Sequence, residues 1–205
     1  MNNRILFAVF TPIFCSFIAP VSALDVLGEV KLETMEKPLP RVSGSEFHWL
    51  RDGKEHIVNY EAADEELTKA RDSVGCSWTE MTEMFAPALA FDNCDGVSGT
   101  QKITETKGNP WPLSAESEFQ YSFSGQLEGS GNLWSDTRKC EVDAQERIKV
   151  PAGEYGTYKI ICKDTRNVRT YWVSPELGYA VAIKRKNYRD NSKSNMLELV
   201  KTVNP

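Results

Sequence analysis

Histidine is scarce in this 205-residue chain, which has only His48 and His56, and most acid–base and metal chemistry goes with it. The pair flanks Asp52-Gly53, a dipeptide that favours a two-residue hairpin turn. If Arg51 pairs with Lys54, His48 lies opposite Ile57 and His56 opposite Trp49. Neighbouring positions face opposite sides of a sheet, so the two imidazoles cannot share a metal in that register. The chain also lacks H-E-x-x-H, G-x-S-x-G and a phosphate-cradling glycine loop. Gly96-Val97-Ser98-Gly99 has the wrong spacing for a nucleophile elbow. Residues 91–96 evoke a calcium loop, but Phe91 stands where the first aspartate is needed and Lys102 where the bidentate glutamate is needed. There is no C-x-x-C pair, and neither histidine lies near a cysteine, which argues against zinc. No catalytic residue, metal ligand or cofactor site is therefore assigned, and the chain reads as a non-enzyme.

Long apolar runs are absent too, except at the start. In residues 1–23, Arg4 gives a positive n-region, residues 5–20 are almost entirely apolar, and Val21-Ser22-Ala23 supplies the small residues of a cleavage site. Pro12 and Pro20 interrupt the run, which is short for a membrane-spanning helix of about 20 residues. Cys15 is a poor lipoprotein site because Ile13-Phe14 puts a bulky ring where a small residue belongs. The expectation is a signal peptide over 1–23, no transmembrane segment after its removal, and a periplasmic or secreted product. Residues 24–44 read as an extended or poorly ordered lead-in, and 45–205 as a single antiparallel β domain. No 20–50-residue repeat is present. Charge is split: residues 24–136 carry 9 Lys+Arg against 21 Asp+Glu, and residues 137–205 carry 14 against 8. The overall acidity argues against nucleic acid as a partner. The abundance of carboxylates in the first half makes chance acid pairs inevitable, so glycosidase chemistry cannot be read from them.

Once the signal is removed, four cysteines remain, and an even count in an exported chain implies two disulfides with three possible connectivities. The favoured pairing is Cys76–Cys94 and Cys140–Cys162. From Cys140 to Val150 apolar and polar residues alternate, with Cys140, Val142, Ala144, Ile148 and Val150 on one face. After Pro151-Ala152-Gly153, Tyr158, Ile160 and Cys162 continue the apolar face. Simple turn registers bring the cysteines close but not opposite, so a bulge or a diagonal approach is required.

Further alternating runs lie at 100–106, 119–123, 169–173, 179–186 and 196–203, with turn signals at 125–131 and 174–178. Residues 56–72 fit either a helix or a hairpin turning at Asp64-Glu65-Glu66, and the hairpin is preferred. Residues 78–90 read as a short helix or an apolar loop. The fold class is mainly β: a curved antiparallel sheet or half-open β-barrel, β-clam-like, with at most one or two short helices.

Aromatic residues are the most suggestive feature. Five tryptophans accompany many Phe and Tyr, and aromatics fill sheet faces well. Trp111, Trp134, Trp172, Phe119 and Tyr121 are the candidates for lining an apolar pocket in a curved sheet.

Several motifs recur together in order: Gly75-Cys76-Ser77-Trp78-Thr79, Phe85-Ala86-Pro87 with Asn93-Cys94, Trp111-Pro112-Leu113, Val150-Pro151-Ala152-Gly153, and Tyr171-Trp172 with Pro175-Glu176-Leu177-Gly178-Tyr179. Over about residues 45–203 they resemble a family of uncharacterised exported bacterial proteins. The C-terminal part also looks like groups whose sheets curve around an apolar groove, as in periplasmic lipoprotein carriers. The resemblance implies the same cysteine pairing and carries over no catalytic residue. The leading expectation is a non-enzymatic module that shelters an apolar small molecule or lipid. An envelope protein that binds other proteins or serves structurally is the alternative, and a hydrolase with an unrecognised site is a second.

Overall fold

The computed structural model describes residues 24–188 and 194–205, so the expected signal peptide lies outside the described residues. The described chain is all strand and turn: β1 (Asp25–Glu29), β2 (Glu46–Arg51), β3 (Lys54–Ala63), β4 (Leu67–Asp72), β5 (Ser77–Met81), β6 (Ala90–Cys94), β7 (Val97–Gly108), β8 (Glu118–Leu127), β9 (Leu133–Val150), β10 (Gly153–Lys163), β11 (Asn167–Ser174), β12 (Tyr179–Asn187) and β13 (Ser194–Val203). Every pairing is antiparallel. β9 through β13 lead to β2, then β3 through β8, and β8 returns to β9, closing a barrel of twelve strands. β9 is long enough to hold two neighbours on one edge. Its first half pairs with β8, and its last residues pair with β1. The expected mainly β, curved antiparallel sheet is present, and it goes beyond the half-open shape by closing through the β8–β9 pairing.

Local chemistry explains the register. Asp52 and Gly53 both take positive φ (49° and 79°), as the tight primed turn requires, and Arg51 pairs with Lys54. His48 accordingly faces Ile57, and His56 faces Trp49. Residues 56–72 form the β3–β4 hairpin rather than a helix. Asp64 Oδ1 accepts the N–H groups of Glu66 and Leu67 at 2.8 and 2.7 Å, and so fixes the turn. Residues 78–90 contain β5 and an apolar loop, again without a helix.

The uninterrupted alternation of residues 140–150 needs correcting. Val142 pairs with Ile160 and Ala144 with Lys159, so Asp143 is an extra, bulged residue. That bulge shifts parity, separating Cys140 and Val142 from Ile148 and Val150. It also supplies what the disulfide needs, since Cys140 now lies directly opposite Cys162. Both expected bridges are present, Cys76–Cys94 and Cys140–Cys162.

Eight strands give a barrel that side chains alone can fill, and interior width grows with strand number. Twelve strands therefore need inserted chain. Phe85, from the β5–β6 loop, touches Phe119 of β8 and Tyr171 of β11, strands that lie on either side of β9 and β10. A ring can reach both only from the concave side, so this loop enters the barrel. Leu113 of the β7–β8 loop and Met35 of the N-terminal segment join the same buried cluster, along with Cys140, Tyr158, Ile160 and Val173. A second cluster packs Phe47, Trp49, Val58, Tyr60, Ile148, Trp172 and Leu199. The tip of the β9–β10 hairpin reaches it, with Ala152 N–H donating to Leu199 O at 2.9 Å.

The solvent face of the barrel carries Lys69, Arg71, Lys102, Glu105, Glu118, Lys139 and Glu141, all exposed. A barrel embedded in lipid presents an apolar band about 25 Å tall at such positions. Among the described residues no helix is long and apolar enough to cross a membrane.

Candidate functional site

The segment between β1 and β2 crosses the rim of the barrel as a strap. Val30 N–H donates to Gln145 O at 3.1 Å, and the Tyr158 hydroxyl donates to Glu33 O at 2.6 Å. Met35 and Leu113 exchange backbone hydrogen bonds at 3.0 and 2.8 Å, and Leu39 N–H donates to Gly178 O at 3.2 Å. The Arg41 guanidinium then lies over the rings of Tyr179, Phe47 and Tyr60 at 4.6–5.4 Å, a cation–π clamp at the end of the strap.

Opposite the strap stands the β5–β6 loop, which is held from three sides. Thr82 N–H donates to Glu66 O at 2.9 Å, Gln101 Nε2 to Ala88 O at 2.8 Å, and Arg138 Nη1 to Phe85 O at 3.0 Å. The last bond anchors the inserted loop from below. Phe85 stacks on Trp111 at 5.8 Å between ring centroids.

Between strap and loop lies a groove of about 780 Å³. Pro38 and Pro40 form one wall. Leu67, Met81, Leu89, Ile103 and Trp111 form the other, with Lys37, Glu65 and Glu66 at the edge. That volume falls in the range of small-molecule sites, which are mostly apolar with a few polar groups. Glu83 also lines it. Burial pushes the Glu83 carboxyl above the usual carboxylate range, with the neighbouring Tyr121 partly opposing. Burial first, and then Glu83, push the Tyr121 phenol strongly upward. The two groups are close enough to interact, and Glu83 Oε1 and the Tyr121 hydroxyl are both sealed from solvent. Trp111 Nε1 is likewise buried without a partner. An apolar groove whose floor holds a carboxyl inclined toward its neutral form suits an uncharged or amphipathic guest better than a cation.

The five aromatics singled out from the sequence fall in three places. Trp111 lines the groove. Phe119 and Tyr121 lie behind it in the core around Phe85, 5.9 Å apart. Trp134 is elsewhere, over Gly125, beneath Arg166 and beside a smaller depression of about 310 Å³. Trp172 is buried in the second cluster, where its Nε1–H donates to Glu146 Oε1 at 2.5 Å. Sequence reasoning missed the strap prolines, Leu67, Ile103 and Glu83. The apolar character of 78–90 was the one available signal, whereas Glu83 is indistinguishable among so many carboxylates.

The histidines have separate acidic partners. His48 Nδ1 lies 2.7 Å from Glu55, and His56 Nε2 lies 3.6 Å from Asp72. Burial holds the His56 imidazole below its ordinary value, with Asp72 opposing. Among the described residues no group of three or more His, Cys, Asp or Glu is placed to hold a metal.

No protein-family model matches the chain, and no curated protein matches it in sequence. Solved structures similar in backbone include two described as lipoproteins. The hypothetical lipoprotein YmcC from Escherichia coli K12 is 9% identical with a TM-score of 0.47, the match covering 80% of this chain and 86% of that one. A lipoprotein candidate from Parabacteroides distasonis ATCC 8503 is 12% identical with a TM-score of 0.42, covering 84% and 100%. At these scores the likeness supports nothing beyond itself.

Proposed function

We propose that this chain is a non-enzymatic exported binding module that shelters an apolar or lipid-like ligand in the groove between the strap and the β5–β6 loop. The observation that carries the reading is the groove itself: a concavity of ligand size, walled by prolines, aliphatic side chains and Trp111, beside the packed cluster around Phe85. Two disulfides support export, because such bonds persist in oxidising compartments. The expected signal peptide points the same way, and the curved-sheet likeness to periplasmic lipoprotein carriers agrees with it in architecture.

Leu67 sits on the groove wall and is 39% exposed, so changing it leaves the core alone. Leu67→Glu places a charge against the guest. In a titration with an environment-sensitive fatty-acid probe, the wild type should bind saturably and Leu67→Glu at least ten-fold more weakly, with an unchanged melting temperature. Equal binding by both proteins would move the ligand away from this groove.

A further inference from the structure

Positive charge gathers on the concave face below the inserted loop. The register places Phe119 opposite Cys140, Cys140 opposite Cys162, Cys162 opposite Arg169, and Arg169 opposite Arg185. Two arginines thus face each other on neighbouring strands, in the row that carries the interior disulfide. Like charges directly opposite one another destabilise a sheet. Arg138, opposite Tyr121 on the same face, brings a third guanidinium to the region.

The three differ in how they are compensated. Arg138 is fully engaged: Asp164 Oδ2 accepts from its Nη2 at 3.0 Å and its Nε at 3.3 Å, and Phe85 O accepts from Nη1. Arg185 donates Nε to the neutral Asn167 Oδ1 at 3.1 Å. Arg169 interacts with the Tyr171 hydroxyl, and its buried Nε has no hydrogen-bond partner. Asp136, two residues before Arg138, accepts the Thr165 hydroxyl at 2.6 Å. Glu80 and Asp95 contribute only through space, and burial biases Glu80 toward its neutral form.

The arginines register this crowding. Burial first, and then the charge of Arg169, lower both Arg138 and Arg185. Arg169 itself is held up, with burial opposing its charge and Tyr171, Asp164 and Glu80 outweighing it. Among the described residues, the two arginines of the row and the adjacent Arg138 thus share one directly bonded carboxylate, Asp164. The Arg185 residue keeps exposed surface although its guanidinium is partly desolvated, so the row can be reached from solvent at its Arg185 end.

We propose that Arg169 and Arg185, backed by Arg138, form a binding site for a phosphate or phosphoester oxyanion inside the barrel, separate from the apolar groove. Guanidinium forks match oxyanion geometry, and an anion between two opposed arginines would convert their repulsion into a bridge. This site stands whether or not the groove binds lipid.

The test is isothermal titration calorimetry at low salt with inorganic phosphate and, in parallel, with monomeric dihexanoyl-phosphatidylglycerol, on the wild type and on Arg185→Gln. Thermal melts accompany each. The wild type should bind at least one of the two saturably and melt higher in its presence. Arg185→Gln should weaken binding at least ten-fold and abolish that shift. It should also melt higher than the wild type without ligand, because it removes an opposed charge. Binding of inorganic phosphate would show that the free oxyanion suffices, and binding of the lipid alone would assign the site to a headgroup. The proposal is overturned if neither binds, if Arg185→Gln binds like the wild type, or if its ligand-free melting temperature falls. Arg169→Gln should behave likewise, but Arg185 is exposed and its variant carries the test even if the buried change prevents folding.

Discussion

At the scale of single residues, the unusual groups are the buried polar ones that lack full hydrogen bonding. Leaving such a group unsatisfied costs about 1–3 kcal/mol, more for charged groups. Trp172 shows the ordinary solution, since its indole N–H donates to Glu146 within the second core. Glu83 shows the exception, because it is pushed toward the protonated form and Oε1 has no partner. A carboxyl whose folded pKa lies above its unfolded value contributes stability at pH below the unfolded value, and that contribution is lost as pH rises through the folded one. Glu83→Gln should therefore raise the melting temperature at pH 7, where burial disfavours the charged form that the unfolded chain takes freely. At pH 3 Glu83 is protonated in the folded and the unfolded chain alike, and the gain should vanish. Urea unfolding at the two pH values measures the difference; a gain of equal size at both would mean that the charge of Glu83 is immaterial. The sequence offered no way to find this residue. Trp111 was named from the sequence only as one of five aromatics that could line a pocket, and no local signal set it apart from Trp134 or Trp172.

At the scale of elements, much was legible wherever turn chemistry and alternation agree. Asp52-Gly53 set the β2–β3 register residue for residue, and the turn at 64–66 decided between hairpin and helix in favour of the hairpin. The Cys140–Cys162 bridge was legible for a mechanical reason, since two cysteines on the apolar side of one hairpin needed a bulge to meet and Asp143 provides it. The position of the bulge was not legible, because Glu141, Asp143 and Gln145 read as one unbroken polar row. The strap was also hidden. Its backbone takes partners far along the chain, such as Gln145 and Gly178, and no local pattern encodes them. Gly178 makes the strap testable. It has φ +74°, and an added Cβ would lie 2.4 Å from Leu39 Cγ and 2.8 Å from the Leu39 nitrogen. Gly178→Ala should cost about 1–2 kcal/mol from the left-handed backbone and should push the strap off the rim. Hydrogen exchange should then quicken at Leu39 while the β8–β9 amides stay protected. Unchanged exchange at Leu39 would show that the strap does not depend on this contact.

At the scale of the whole molecule, strand count governs the architecture. A barrel of twelve strands is too wide for its own side chains, so chain from the β5–β6 loop, the β7–β8 loop and the N-terminal segment fills it. The groove lies where two of these insertions, the strap and the β5–β6 loop, come apart at the rim, and the arginine row lies beneath the part they fill. An antiparallel sheet that curves or closes followed from many short alternating strands. Closure did not, because it depends on β8 returning to β9, a pairing set by the unusual length of β9. The split in charge is also a molecular feature: the acidic first half and basic second half share one sheet, and the basic half supplies all three interior arginines.

Native mass spectrometry of the protein purified gently from its exporting cell, before and after organic extraction, tests the central claim most directly. The account predicts a defined extra mass that extraction removes, that added fatty acid or phospholipid restores, and that Leu67→Glu fails to retain. A bare protein mass with no uptake of either lipid would contradict it, and would leave the groove without the guest proposed for it.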